Sequence, residues 1–373
     1  MFFNKSKESL RQIFALADVK LDGNRPWDIH VYQNEFYGRV LRYGSLGLGE
    51  SYMDGWWEAE KLDEFFAKIL RAELEKKVRD QWKLFWQFFI NTFFNRQKKS
   101  KSFKIGEHHY DLGNNLFQAM LDKRMVYTCG YFKNTKNLDE AQEIKLDMAC
   151  KKLGLQKGMK ILDIGCGWGS FAKYAAEKYG VSVLGITVSK EQVELGRKLC
   201  AGLPIEIKLQ DYREIKGLYD HIVSFGMFEH VGEKNYRSYM EIINHHLRDN
   251  GLFLLHTIGN DGAIKTTDPW VEKYIFPRGR IPSIKQISKV AEKLFVMEDW
   301  HNFGADYDKT LMAWFNNFAS HWKDLKSRYD ERFYRMWKYF LLSSAGSFRV
   351  RRNQLWQIVF SKKGVPGGYT SIR

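Results

Sequence analysis

A glycine-rich turn with an acidic residue just before it is the strongest chemical signal in the sequence. Asp163 is followed by Gly165, Gly167 and Gly169, with Cys166 inside the turn. This G-x-G-x-G spacing is shorter than that of dinucleotide sites, and the absence of a following Gly-Lys-Ser/Thr argues against a phosphate loop. The glycines let a ligand approach the backbone closely, and the acid can engage an ammonium group, directly or through water. The pattern favours an S-adenosylmethionine site over a purely structural turn.

Polar residues that follow the next two predicted strands are candidates for the rest of this site. The second strand ends near Thr187, where an acid commonly holds the ribose, so Thr187 and Gln192 are our candidates for that contact. The third strand ends before Asp211 and Tyr212. Asp211 is placed to accept a hydrogen bond from an adenine amino group, because ligands of such folds bind at the carboxyl ends of the strands.

Strand-like and helix-like segments alternate from about residue 155 onward, and these elements must position the candidate residues. The predicted strands cover residues 160–164, 181–186, 205–209, 219–224, 251–256 and, late in the chain, 354–360. Such alternation predicts an α/β fold with a doubly wound parallel sheet. Residues 261–345 are predicted to form a largely helical, aromatic-rich insertion over the same strand ends.

Composition and charge narrow the class of partner. The 373-residue chain carries a net charge of +15 and 12 Trp and 27 Phe, so we expect an anionic partner, either nucleic acid or an acidic lipid surface. The four cysteines have neither zinc nor disulfide spacing, which indicates a reducing cytoplasm and no metal site. No apolar stretch of about 18 uncharged residues is present, so we expect no membrane span.

The segment 76–104 differs from the rest of the chain in composition. It holds nine Lys or Arg and one acidic residue around an aromatic run at 84–89. An interdomain helix packed on a core is the commoner origin of such a pattern. The lysines Lys98, Lys99, Lys101 and Lys104 favour the alternative, a basic and aromatic surface that lies in the headgroup layer of an anionic membrane.

The chain resembles the cyclopropane-fatty-acyl-phospholipid synthases over most of its length. Strings of unusual composition carry this resemblance in one order: GSLGLGESYMDGWWE (44–58), EHHYDLGNNLF (107–117), VYTCGYF (126–132), ILDIGCGWGS (161–170), FGMFEHVG (225–232), LLHTIG (254–259), DPWVEKYIFP (268–277), EDWHNFGADYDKTLMAW (298–314) and NQLWQIVFSK (353–362).

The resemblance implies a fold and a reaction. The fold would be a class I S-adenosylmethionine methyltransferase at 105–373, preceded by a smaller, mainly helical N-terminal domain at 1–100 that carries the basic segment. The reaction would convert the cis double bond of an acyl chain in a membrane phospholipid to a cyclopropane. The resemblance also implies a cytoplasmic homodimer that is peripherally associated with the inner face of the membrane.

The resemblance further implies two sets of site residues. Bicarbonate would act as the base, and its contacts would fall on Cys129, Glu229, His256, Ile258 and Tyr307. The methyl donor would contact Tyr127, Thr128, the loop 163–169, Thr187, Gln192, Asp211 and Tyr212. Taken singly, each residue of the first set has a structural alternative, such as a buried small thiol, a helix cap or a satisfied core histidine. Many relatives carry a cysteine, proposed as catalytic, where this chain has Ser344, and since the chemistry needs no thiolate the serine weakens that proposal.

Two other functions remain open from the residues. Another methyltransferase, acting on a lipid or a small amine, would share the donor loop but would have no use for the bicarbonate set. A nucleic-acid-binding protein would interleave Lys and Arg with exposed aromatic residues on one face. Here the densest charge flanks an apolar aromatic run instead, so we expect a lipid partner and no nucleic acid.

Overall fold

The computed structural model describes residues 2–74, 113–262 and 267–373. The basic segment 76–104 lies outside the described residues, so its membrane-facing role stays a prediction. The chain forms two compact units. The first comprises Met1–His109, Asp268–Pro277 and Trp314–Arg352, and the second comprises Tyr110–Thr267, Arg278–Ala313 and Asn353–Arg373. Residues 268–277 and 314–352 were expected in the second domain, and they group instead with the N-terminal residues.

The second unit is built on a seven-stranded sheet of order β5-β4-β3-β6-β7-β9-β8. Its strands are β3 (Lys160–Ile164), β4 (Ser182–Thr187), β5 (Ile205–Leu209), β6 (Tyr219–Phe225), β7 (Leu247–Gly259), β8 (Val296–Asn302) and β9 (Gln354–Ser361). The first five in this order run parallel, as predicted, and their carboxyl ends lie at one edge. The α/β fold expected from the sequence is therefore confirmed.

The sheet is mixed, because β9 pairs antiparallel with both β7 and β8. The parallel sheet predicted from the sequence therefore continues on this side into antiparallel strands that were not predicted as such. Strand β8 lies inside the stretch 261–345 that was expected to be largely helical. Its sequence, VMEDWHN, carries several charged or polar residues because it is an edge strand, and this composition hides the strand pattern.

Helices cover both faces of this sheet. They are α5 (Asn114–Met120), α6 (Leu138–Lys152), α7 (Ser170–Tyr179), α8 (Lys190–Leu199), α9 (Phe228–Val231), α10 (Tyr236–His246) and α12 (Ile284–Ala291), and α13 (Ala305–Ser320) begins here. Side-chain caps set several starts: Asn137 accepts from the Glu140 N–H and Ser189 from the Gln192 N–H. Two buried apolar clusters, one on each side of the sheet, hold the layers together.

The first unit is mainly helical, as expected. It contains α1 (Phe2–Ala15), α2 (Glu35–Tyr43), α3 (Ser45–Met53), α4 (Leu62–Arg71), α11 (Pro269–Tyr274), α14 (Trp322–Leu325), α15 (Glu331–Arg349) and a two-stranded ribbon of β1 (His30–Val31) and β2 (Trp57–Glu58). Gly346 lets α15 approach α4 closely, because a Cβ there would lie 2.9 Å from the backbone nitrogen of Ala67. Among the described residues, no helix is both long and apolar enough to cross a membrane.

Candidate active site

The glycine turn follows β3, as the sequence predicts. Gly165, Gly167 and Gly169 all have positive φ, which L-residues with a side chain adopt only at a cost. A Cβ on Gly165 would lie 2.9 Å from the Met227 side chain, whereas a Cβ on Gly167 would meet no atom within 4 Å. Gly167 therefore borders open space, and a ligand can reach the backbone there.

Asp163 is the buried acid of this turn. Its side chain is 1 % exposed, and neither carboxylate oxygen has a hydrogen-bond partner among the described residues. Burial raises the pKa of Asp163 to about 7, and the positive charge of Lys145 opposes that rise. Buried polar atoms are normally satisfied, so this carboxylate fits the ammonium group of a methionine moiety.

The proposed ribose contacts lie together at the end of β4. The Thr187 hydroxyl donates to Gln192 Oε1 at 2.7 Å, and it accepts from the Ser189 N–H at 3.3 Å. The structure thus brings these two candidate residues together at the carboxyl end of β4.

The Asp211 carboxylate is engaged by Arg213. It caps a short 3-10 helix, and its carboxylate accepts from the Arg213 backbone N–H at 2.9 Å and from the Arg213 guanidinium at 2.8 and 2.7 Å. These hydrogen bonds, led by the guanidinium, lower the pKa of Asp211. An adenine amino group would have to share this carboxylate with Arg213. Tyr212 packs edge-on against Tyr239 with ring centroids 5.0 Å apart.

Glu229 lies on α9 after the carboxyl end of β6, and it is bonded to the end of β7. The Ile258 N–H donates to Glu229 Oε1 at 2.6 Å, and Oε2 has no hydrogen-bond partner in the described structure. Burial raises the pKa of Glu229 to about 7, and hydrogen bonds led by that N–H oppose the rise. The Ile258 N–H is thus engaged by Glu229, whereas the resemblance implied that it contacts a ligand.

His256 is a buried, neutral imidazole on β7. Its Nδ1 lies 3.3 Å from the amide nitrogen of Gln357, and its Nε2 has no partner among the described residues. Burial, assisted by nearby Lys145, lowers the pKa of His256 well below its usual value. Since the Gln357 amide donates to Nδ1 in this arrangement, the ring proton lies on Nε2, which becomes a donor.

Cys129 comes from the loop before α6, and Tyr307 comes from α13. The Thr310 hydroxyl donates to the Cys129 sulfur at 3.8 Å. Burial raises the pKa of both the Cys129 thiol and the Tyr307 hydroxyl well above their usual values. After burial, the electrostatic influence of Cys129, Tyr127 and Glu229 also raises the pKa of Tyr307.

Several buried polar partners of this site were not anticipated from the sequence. Gln142 donates to the Thr128 carbonyl at 2.7 Å, Lys145 donates to the Thr128 hydroxyl at 2.9 Å, and the Thr310 hydroxyl accepts from the Gly130 N–H at 3.0 Å. Gln142 and Lys145 lie three residues apart on α6, a spacing that puts both on one face. Polar residues at this spacing are also typical of a solvated face, so their burial could not be read from the sequence.

Similarity to known proteins agrees with this geometry. The family model for mycolic acid cyclopropane synthetase matches residues 97–358. The cyclopropane-fatty-acyl-phospholipid synthase of Escherichia coli (strain K12) is 51% identical over 362 residues, which is 97% of this chain and 94% of the relative.

Two solved structures resemble the chain in fold and sequence. The cyclopropane synthase MmaA2 from Mycobacterium tuberculosis has a TM-score of 0.65 and 29% identity, covering 71% of this chain and 100% of the other. The mycolic acid cyclopropane synthase CmaA1, complexed with SAH and CTAB, has a TM-score of 0.64 and 30% identity, covering 72% of this chain and 100% of the other. The chain therefore belongs to the mycolic acid cyclopropane synthetase family and is an S-adenosylmethionine-dependent methyltransferase.

Proposed function

We propose that this protein converts the cis double bond of an unsaturated acyl chain, within a membrane phospholipid, to a cyclopropane. The observation that carries the proposal is the 51% identity to the Escherichia coli synthase over nearly all of both chains. The site described above supports it, because its buried residues suit a reaction that needs a dry cleft and a weak base. The alternative is methylation of another lipid or a small molecule.

The residues around the glycine turn fit the methyl donor. S-adenosylmethionine would supply an electrophilic methyl group on a positively charged sulfur. Asp163, with two unpartnered buried oxygens, would hold the ammonium end, and the backbone at Gly167 would border the ligand. Thr187 and Gln192 would contact the ribose and Asp211 and Tyr212 the adenine, with Tyr127, Thr128 and Cys166 lining the site. Each of these contacts can be tested by substitution.

The reaction places two demands on the protein. When the alkene takes up the methyl carbon, a positive charge develops on the acyl chain, and one proton must then leave the added methyl as the ring closes. The cleft must exclude water during this interval, and aromatic faces can stabilise the charge. Around His256 the rings of Phe225 and Phe303 lie with centroids 5.2 and 5.9 Å from the imidazole.

We propose bicarbonate as the base that takes this proton. As an oxyanion it would supply proton-accepting oxygens within the cleft. The candidate residues fit such an ion because burial keeps them neutral and able to donate: His256 through Nε2, Tyr307 through its hydroxyl, and Glu229 through Oε2 when protonated. Cys129, which burial keeps as a thiol, would be a further contact. Ile258 would act mainly by fixing Glu229.

The substrate demands a membrane surface. We propose that the protein is cytoplasmic, that it associates peripherally with the anionic inner face of the membrane through residues 76–104, and that it acts as a homodimer. The net charge of +15 supports attraction to anionic lipid.

The proposed function is tested by incubating the purified protein with vesicles of unsaturated phosphatidylethanolamine and phosphatidylglycerol and with labelled S-adenosylmethionine. Fragmentation of the lipids by mass spectrometry then locates the label. Label in the acyl chain is the expected result. Label in the amine headgroup would instead support the alternative, an N-methyltransferase.

A further inference from the structure

Thr310 is a buried residue whose hydroxyl joins the two elements that carry Cys129 and Tyr307. It lies on α13, and its oxygen accepts from the Gly130 N–H at 3.0 Å. The hydroxyl also lies within donating distance of the Asp306 carbonyl, at 2.9 Å, and of the Cys129 sulfur, at 3.8 Å. A buried hydroxyl is costly unless it is bonded, and a valine would fill the same space without that cost, so packing alone does not explain a threonine here.

A second bond joins the same helix and the same loop one helical turn away. Asp306 Oδ2 accepts from the Phe132 N–H at 3.0 Å, and its Oδ1 accepts from the Lys309 ammonium at 2.8 Å. Asp306 and Thr310 are four residues apart, so they lie on one face of α13. This face therefore receives two backbone N–H groups of the loop, those of Gly130 and Phe132.

The loop is held from the side of α6 as well. The N–H of Tyr131, which lies between the two that α13 receives, donates to the Ala141 carbonyl at 2.9 Å. Thr128 has an anchor of its own, because its carbonyl accepts from the Gln142 amide at 2.7 Å. The residues that the proposed donor site uses are thus anchored on α6, whereas the residues directly after Cys129 are anchored on α13 too.

We propose that Thr310 is a positioning residue for the reaction, which together with Asp306 holds Tyr307 of α13 and Cys129 of the loop at the spacing that a small anion needs. Tyr307 directly follows Asp306 and lies three residues before Thr310, so the two bonds flank it along the helix. The proposal deepens the proposed function, on which it rests for the identity of the anion. It assigns Thr310 no contact with the anion itself.

The first test compares Thr310→Val, which removes the hydroxyl and keeps the shape, with Thr310→Ser, which keeps the hydroxyl. Ring formation in vesicles of an unsaturated phospholipid gives the rate at saturating S-adenosylmethionine, and calorimetry gives the affinity for S-adenosylhomocysteine. We expect Thr310→Val to lower the rate by about tenfold and to change the affinity less than about twofold, because the donor residues keep their anchors on α6. Thr310→Ser should keep the rate within about threefold of the wild type.

The requirement for bicarbonate separates positioning from a general loosening of the fold. In buffer freed of carbon dioxide, the rate is followed as bicarbonate is added. Thr310→Val should need about tenfold more bicarbonate than the wild type for half of its maximal rate, since the contacts of the anion are no longer held at a fixed spacing. Asp306→Ala removes the second bond and should shift the requirement in the same direction, whereas Asp306→Asn, which keeps an acceptor for the Phe132 N–H, should not.

Ser320→Ala is the matched control. Ser320 is an exposed residue of the same helix, and like Thr310 it bonds back to a carbonyl about one turn earlier, that of Asn317, at 2.8 Å. Its loss should alter neither the rate nor the bicarbonate requirement, because that bond lies within the helix. Thermal denaturation shows whether each variant folds, and Asp306→Ala, at a less deeply buried position, keeps the test decisive should Thr310→Val not fold.

Ring formation by Thr310→Val at the wild-type rate would overturn the proposal. So would an affinity for S-adenosylhomocysteine that falls as far as the rate, or a lowered rate with an unchanged bicarbonate requirement, since a purely structural role gives these results. A wild-type protein whose rate does not respond to bicarbonate would instead contradict the proposed base and not the role of Thr310, which the contrast between rate and affinity tests by itself.

Discussion

The backbone N–H of Ile258 holds one oxygen of Glu229 at 2.6 Å and leaves the other without a partner in the described structure. This bond joins the helix after β6 to the end of β7, so it fixes the carboxyl group at the edge where parallel strands present ligands. Burial then raises the pKa of Glu229 to about 7, which lets the group exist in both protonation states near neutrality. A residue held in this way suits the orientation of a small ion and the relay of a proton.

Replacing Glu229 with glutamine tests that role. We expect Glu229→Gln to retain the bond from Ile258, to bind S-adenosylhomocysteine with unchanged affinity, and to lose ring formation by about 100-fold or more, because an amide cannot release a proton. Calorimetry and lipid analysis measure the two effects. Normal product from this variant would refute the assignment of Glu229 to the base site.

Asp163 is expected to lower the stability of the ligand-free protein. Its pKa is raised from 3.8 to about 7 on folding, so the folded state binds the proton more tightly than the unfolded state does. The free energy of unfolding therefore falls as the pH rises from about 4 to about 7. Asp163→Asn should therefore stabilise the protein more at pH 8 than at pH 5, by on the order of 2 kcal/mol. Urea unfolding at both pH values measures the difference.

Asp249→Asn is the matched control for that experiment. Asp249 is exposed, and hydrogen bonds and charge from Lys363, with Lys362, lower its pKa instead of raising it. Its substitution should give no stabilisation that grows with pH. If Asp163→Asn also gave none, or stabilised only at acidic pH, the burial of an ionisable Asp163 would be contradicted.

The positions of several candidate site residues could be predicted because these residues are adjacent to strands with clear patterns. The sequence places each of three residues at or shortly after the carboxyl end of a predicted parallel strand: Asp163, Thr187 and Glu229. Lys145 could not be predicted in this way, since a lysine within a helix has the same local pattern whether it faces water or the core. Its burial depends on the loop around Thr128, which is distant in the sequence.

The first unit shows a second limit of sequence patterns. Residues 268–277 and 314–352 group with the N-terminal residues through contacts between positions more than 200 residues apart. Lys273, for example, pairs with Glu50 at 2.6 Å. Local periodicity contains no information on such pairings, and strand β8 was missed for the related reason that charged side chains interrupt its apolar alternation.

Gly346 tests the packing of α15 on α4. A Cβ at this position would lie 2.8 Å from the Phe66 Cβ and 2.9 Å from the Asp63 carbonyl oxygen, so Gly346→Ala should destabilise the protein by about 1–3 kcal/mol. Gly38→Ala is the control, because Gly38 lies in α2 where an added Cβ would meet no atom within 4 Å, and alanine there should stabilise by about 0.5–1 kcal/mol. Equal shifts in melting temperature for the two variants would contradict the close approach.

The basic segment tests the membrane proposal. We expect the combined change of Lys98, Lys99, Lys101 and Lys104 to glutamate to weaken binding to anionic vesicles by at least about tenfold at low salt, since each basic residue near such a surface contributes about 1 kcal/mol. Liposome flotation measures the effect, and a gel shift with tRNA examines the nucleic-acid alternative.

A matched variant distinguishes the segment from net charge alone. Lys136, Lys157, Lys178 and Lys198 are exposed in the described structure, and their change to glutamate removes the same charge elsewhere. This control should bind vesicles far better than the first variant. Equal binding by the two variants would contradict the membrane role of residues 76–104 and would favour the alternative, an interdomain helix packed on a core.

The most direct test of the central claim uses S-adenosylmethionine with a fully deuterated methyl group and vesicles of an unsaturated phospholipid. We expect acyl chains that gain one carbon with two of the three deuterium atoms, and that resist mild hydrogenation because the double bond has become a ring. A product that keeps all three deuterium atoms, or one that still takes up hydrogen as an alkene, would contradict the proposed reaction.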